Sequence, residues 1–111
     1  FDAITRIPRP SKKEAQIIDF LINFAQVNSL EWQRDDIGNV VIRKAATAGY
    51  EDHPTVILQS HMDMVCEKNS DVTFDFDRDP IRTVVDGDWV RAEGTWCRLR
   101  YRYGCCDGSA P

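Results

Sequence analysis

The chain has no excess of positive charge. Its 14 lysines and arginines face 18 aspartates and glutamates, for a formal net charge of −4. Nucleic-acid recognition usually relies on a basic field, so that class of partner is not expected. Long apolar runs are also missing. None approaches the roughly 20 residues of a membrane-spanning helix, and no membrane partner is expected. The opening residues, FDAITRIPRPSKK, lack the charged-then-apolar pattern of a secretory signal, so a cytoplasmic location is the expectation. Cysteine is sparse and unevenly placed: Cys66 stands alone, while Cys97, Cys105 and Cys106 crowd the end. A disulfide scaffold spreads its cysteines through the chain, and C-x7-C-C does not have the spacing of a zinc knuckle. Cys66 is expected to be a small buried residue. Asp71, Asp75, Asp77 and Asp79 lack the glycine and terminal glutamate of a calcium-binding EF-hand loop.

What remains is a globular composition, 42% hydrophobic and 29% charged, in 111 residues. That is enough for one small domain. The chain opens on Phe1 and ends abruptly, and the expectation is a piece of something larger. Residues 4 to 10, ITRIPRP, read as extended or irregular, because Pro8 and Pro10 remove donors and restrict their predecessors. Ser11 with Glu14 three residues later has the form of a capping box. Ile17, Ile18, Leu21, Ile22, Phe24 and Ala25 then recur at helical spacing, which predicts a helix over 11–28. Leu30 to Asp35 suggests a short strand, 36–39 a turn, and Val40 to Ile42 a second strand. Residues 45–53 form a loop. Thr55 to Gln59, TVILQ, is continuously apolar at its centre and reads as a buried strand of an α/β sheet. Residues 60–80 form a long ordered loop. Residues 82–92 form a hairpin around Asp86-Gly87.

The chemistry gathers after TVILQ. Ligands in α/β proteins collect beyond the carboxyl ends of strands, and His61 stands there. Asp63 follows two residues later, on the same side if the strand geometry persists. A carboxylate that accepts from the free N–H of an imidazole holds the ring and raises its basicity, an arrangement common behind zinc ligands. Met62 and Met64 then face the other way as packing residues. A zinc site needs three or four ligands, and His61 is the one convincing ligand visible. His53, at the start of the strand, and Glu67, in the loop, are weaker candidates. H-x-D alone also fits an ordinary hydrogen-bonded loop histidine.

Four segments carry a resemblance to a known family. They are ITRIPRPSKKE (4–14), EWQRDDIGNVVIRK (31–44), TVILQSHMDMVCEKNSDVTFDFDRDPI (55–81) and VDGDWVRAEGT (85–95). Together they resemble the M20-type zinc peptidases, and more specifically their aminoacyl-histidine (Xaa-His) dipeptidase branch. H-x-D after an apolar strand is common to the whole family, whereas MVCEKN and FDFDRDPI are specific to the branch. The resemblance implies an α/β fold: the N-terminal fragment of an M20-type catalytic domain, with a mixed sheet and flanking helices. It implies a hydrolase with two zinc ions per active site, acting on small Xaa-His peptides through a metal-activated water. His61 matches a zinc ligand and Asp63 the carboxylate behind it, counted with the catalytic residues. The full-length relative is expected to be a homodimer, with its dimerisation domain and remaining ligands beyond residue 111. Another M20-type amidohydrolase or deacylase, or a non-catalytic binding module, are the alternatives. The fragment alone is expected to be inactive and aggregation-prone, with apolar faces left uncovered.

The resemblance stops at Thr95. The family continues with a string like LGADNG, whose aspartate bridges the metals; this chain reads WCRLRYRYG. The tail, 96–111, has no apolar period for a strand or helix and reads as a frame-shift product. Trp96 has the single codon TGG and the Cys97 codon begins with T, so the frame one base on must read glycine. Allowed codons for Cys97, Arg98 and Leu99 then permit alanine and aspartate, restoring Gly-Ala-Asp.

Overall fold

The computed structural model describes residues 2–95 and the backbone of residues 100–102. Two helices and five strands occur: α1 (Asp2–Thr5), α2 (Ala15–Val27), β1 (Glu31–Arg34), β2 (Val40–Arg43), β3 (Thr83–Asp86), β4 (Trp89–Ala92) and β5 (Arg100–Arg102). Ile4 and Thr5, predicted to be irregular, close the short helix α1.

The apolar face of α2 buries Ile17, Ile18 and Ala25, and the helix packs on β1 and β2. It begins four residues later than predicted. Glu14 is the N-cap and makes no side-chain capping bond; its carboxylate accepts from the Lys12 N–H, and the Ser11 hydroxyl is engaged elsewhere. The C-terminal end is a Schellman motif. Leu30 N–H donates to Ala25 O at 2.8 Å and Ser29 N–H to Gln26 O at 3.0 Å. Ser29 takes the left-handed position (φ 53°) where glycine is usual.

β1 and β2 pair antiparallel, Trp32 opposite Ile42. Their turn is held by Asp35, whose carboxylate accepts from the N–H groups of Ile37 (3.1 Å) and Asn39 (2.8 Å) and from the Asn39 amide (2.7 Å). Gly38 (φ 97°) lies so close to the helix that a Cβ there would sit 3.1 Å from Ile18 Cδ1. β3 and β4 form the predicted hairpin. Its two-residue loop is Gly87-Asp88, with Gly87 at φ 58°, the glycine-first pattern of a type II′ turn. β5 adds to β4, Tyr101 opposite Val90. The tail therefore does contain a strand, although its sequence has no apolar period: ladder pairing is made by backbone groups, which any non-proline residue supplies. The rest of the tail, with Cys97, Cys105 and Cys106, lies outside the described residues.

Three expectations are overturned. Thr55 to Gln59 is not a buried strand; it pairs with no strand among the described residues, and Val56, Ile57 and Leu58 are 80%, 85% and 92% exposed. A strand needs a neighbour for its N–H and C=O groups, and apolar content alone does not provide one. Nor is there one mixed sheet. Among the described residues both sheets are antiparallel, and the parallel contact is a single bridge between Pro10 and Met64. Cys66 is also exposed rather than buried, because it belongs to the same uncovered loop.

The core is correspondingly small. Ile17, Ile18 and Ala25 form one part, and Ile81 and Val90 are buried at the hairpin. A backbone bond from Ile81 N–H to Thr5 O at 2.9 Å ties the hairpin segment to α1. Thr95 is buried beside the Lys68–Thr95 bridge.

Candidate functional site

Two stretches far apart in sequence build the candidate site. The Arg9–Ser11 segment runs alongside Met64. Met64 N–H donates to Arg9 O at 3.0 Å and Ser11 N–H to Met64 O at 3.2 Å, around the parallel bridge of Pro10 and Met64. Pro10 is buried at this crossing; having no N–H, it leaves no orphan donor there. The half-buried Arg9 guanidinium donates to the carbonyls of Ile4 and Ile7 and so fastens this segment to α1. Burial pushes Arg9 below the usual guanidinium range.

This crossing sets Asp63 between two partners. The Ser11 hydroxyl donates to Asp63 Oδ2 at 2.6 Å. The other oxygen, Oδ1, lies 3.0 Å from His61 Nδ1, and the Asp63 carbonyl lies 2.8 Å from the same nitrogen. Two acceptors facing Nδ1 require it to carry the proton. Nε2 then presents a lone pair in the neutral ring. The Ser11 hydroxyl first, and the His61 ring next, hold the Asp63 carboxyl below the usual carboxylate range. The His61 side chain is 80% exposed and that of Asp63 36%, so the ring edge is open to an incoming group.

The predicted pair His61 and Asp63 is thus brought together, with the carboxylate on the ring nitrogen as expected from H-x-D. Met62 and Met64 are half-buried, as packing residues would be. His53 is not part of the site and stacks obliquely on Tyr50, ring centres 5.0 Å apart. Glu67 is exposed. Carboxylates of the acidic loop have partners of their own. Asp75 and Asp79 bond each other's segment, and Asp77 pairs with Lys13 at 2.6 Å. Two shallow depressions on the β1–β2 hairpin, lined by residues such as Trp32, Gln33 and Val41, include neither His61 nor Asp63. Ser11 is the residue that sequence reasoning assigned wrongly. Its spacing to Glu14 is that of a capping box, and nothing local in the sequence announces a partner 52 residues away.

The donor set fits one corner of a metal site. An imidazole with its outer nitrogen free and a carboxylate behind it is suited to a single zinc bond. Among the described residues no group of three or more His, Cys, Asp or Glu side chains could hold an ion. The described residues on their own therefore do not fit a complete metal centre.

No family model matches the chain. It is 45% identical over 95 residues to the cytosol non-specific dipeptidase of Escherichia coli, covering 86% of this chain and 20% of that protein. The crystal structure of aminoacylhistidine dipeptidase from Vibrio alginolyticus is also similar, at 44% identity and a TM-score of 0.79, over 84% of this chain and 19% of that one. The chain thus spans about a fifth of the length of these relatives. The resemblance to aminoacyl-histidine dipeptidases read from the sequence is borne out, and with it a dipeptidase-type fold of mixed helices and strands.

Proposed function

We propose that residues 1–95 are the N-terminal part of the catalytic domain of an M20-type, zinc-dependent dipeptidase that hydrolyses Xaa-His dipeptides in the cytoplasm. The observation that carries this reading is the His61–Asp63 pair. The carboxylate at 3.0 Å occupies the Nδ1 side of the ring, and the nitrogen left open is the one a metal would take. When bound, zinc in such a site acidifies a water and polarises the scissile carbonyl. The part played by this chain is narrower: His61 offers one nitrogen, and Asp63 fixes the ring and its proton.

On this reading the further ligands and the general base come from sequence that follows residue 95 in the parent protein, a homodimer. The 111-residue chain is inactive, because one imidazole and one carboxylate do not assemble a two-metal site. The tail at 96–111 is translated one base out of frame. The relatives support the hydrolase class by name, one as a non-specific dipeptidase and the other as an aminoacylhistidine dipeptidase.

The test is hydrolysis of Xaa-His dipeptides with added zinc, followed as release of free histidine. The 111-residue chain should give background rates. The coding region read through in the restored frame should be active, and His61→Ala should abolish that activity. Full activity of the His61→Ala protein would overturn the assignment.

A further inference from the structure

We propose that Ser11 is a positioning residue for His61: its hydroxyl fixes the Asp63 carboxylate so that the imidazole is held with Nε2 outward. The inference rests on the reading of His61 as a ligand, and extends it to a residue that lies 50 positions earlier.

Three observations carry it. The first is the division of labour at Asp63. Oδ2 accepts from Ser11 at 2.6 Å while Oδ1 faces His61 Nδ1 at 3.0 Å. A carboxylate bonded at one oxygen alone can rotate about its Cβ–Cγ bond. With a donor on each oxygen, the plane of the group is set, and with it the direction in which the ring proton is accepted. The Met64 carbonyl, at 3.4 Å from the same hydroxyl, is the poorer acceptor on distance and charge.

The second is how the hydroxyl is delivered. The backbone of Arg9 to Ser11 is bonded to Met64 on both sides of the bridge. Ser11 is thus placed beside Asp63 by main-chain contacts that do not depend on its side chain. Replacing the hydroxyl removes one bond and leaves the crossing in place.

The third is what the helix gives up. Ser11 and Glu14 have capping-box spacing, yet α2 begins at Ala15 with no side-chain cap. Lys12 takes a left-handed conformation (φ 71°) between Ser11 and the helix, unusual for a residue with a side chain. Its N–H is satisfied by Glu14 Oε1 at 2.6 Å. The chain departs from its own best local signal, and the hydroxyl so released goes to Asp63.

The test reads the proton directly. In the 111-residue chain labelled with ¹⁵N, long-range imidazole spectra at about pH 9, above the ordinary imidazole range, give the ratio of Nδ1–H to Nε2–H forms. His61 should favour Nδ1–H. In Ser11→Ala that ratio should fall by about threefold, the scale of one modest hydrogen bond. His53, which Ser11 does not touch, should keep its ratio. Ser11→Thr and Ser11→Val form a matched pair that differs only in hydroxyl against methyl: Thr should retain the wild-type ratio and Val should lose it. An unchanged ratio in Ser11→Ala, or equal ratios in the Thr and Val proteins, would overturn the proposal. A separate zinc titration decides the ligand reading. In the protein read through in the restored frame, an unaltered zinc titration of His61→Ala would contradict that reading, while the tautomer comparison would still decide the role of Ser11.

Discussion

Leu58 is the most exposed large hydrophobic side chain of the TVILQ run, at 92%. A polar substitution there separates the structure from the expectation of a buried strand. Leu58→Ser removes apolar area of which less than a tenth is out of water. At about 25 cal/mol per Å² this corresponds to roughly 0.3 kcal/mol of lost stability. A fully buried leucine would lose about 1.5–3 kcal/mol from transfer alone, and more with the cavity left behind. The assay is urea unfolding followed by the helical signal of α2, with wild type and variant compared at equal slope. The expected shift is within experimental error. The variant should also be more soluble, because it interrupts an apolar stretch available to other chains. A loss above about 1 kcal/mol, well beyond the usual range for surface substitutions, would refute the reasoning and place Leu58 in a core.

Other consequences are local. Ser29→Gly relieves the left-handed position of the Schellman motif and should stabilise α2 by about 0.5–1 kcal/mol, seen as a higher urea midpoint. Asp35 is held below its usual value chiefly by the Asn39 amide and then by backbone N–H groups. Its folded pKa is thus below the unfolded one, so its contribution is complete above 3.8 and is lost as pH falls through the lower, folded value. Amide exchange at Ile37 and Asn39 should therefore lose protection, after correction for intrinsic rates, selectively on acidification below that point. The frame-shift proposal is checked in the DNA. The bases of Cys97 to Leu99 should encode alanine then aspartate one position over, for example as GCA-GAC, and a reading that encodes any other pair refutes it.

The parts of the fold that were legible in the sequence are those whose partners lie nearby. The apolar spacing of Ile17, Ile18 and Ala25 locates α2 because a helix satisfies its own backbone. Residues 36–39 with Gly38, and Asp86-Gly87, locate their turns because turn chemistry is local. The β1–β2 and β3–β4 hairpins follow from those turns. Thr55–Gln59 failed for the opposite reason: its composition is that of a strand, but strand formation depends on a neighbour that the described residues do not provide. Cys66 failed with it. At the site, H-x-D announced the contact between His61 and Asp63 because the two are adjacent. Ser11 was hidden, since a serine before a helix has a strong local reading and its actual acceptor is 52 residues away. The comparison with dipeptidases supplies what local chemistry does not, namely the family that the chain resembles.

The central proposal is that His61, backed by Asp63, is one ligand of a two-zinc centre. Calorimetric zinc titration tests it most directly, on the 111-residue chain and on the coding region read through in the restored frame. The account predicts no tight binding by the first. It predicts two zinc ions per chain for the second, with one of them lost or strongly weakened in His61→Ala. Tight binding of two zinc ions by the 111-residue chain, or an unaltered titration of the His61→Ala protein, would contradict it.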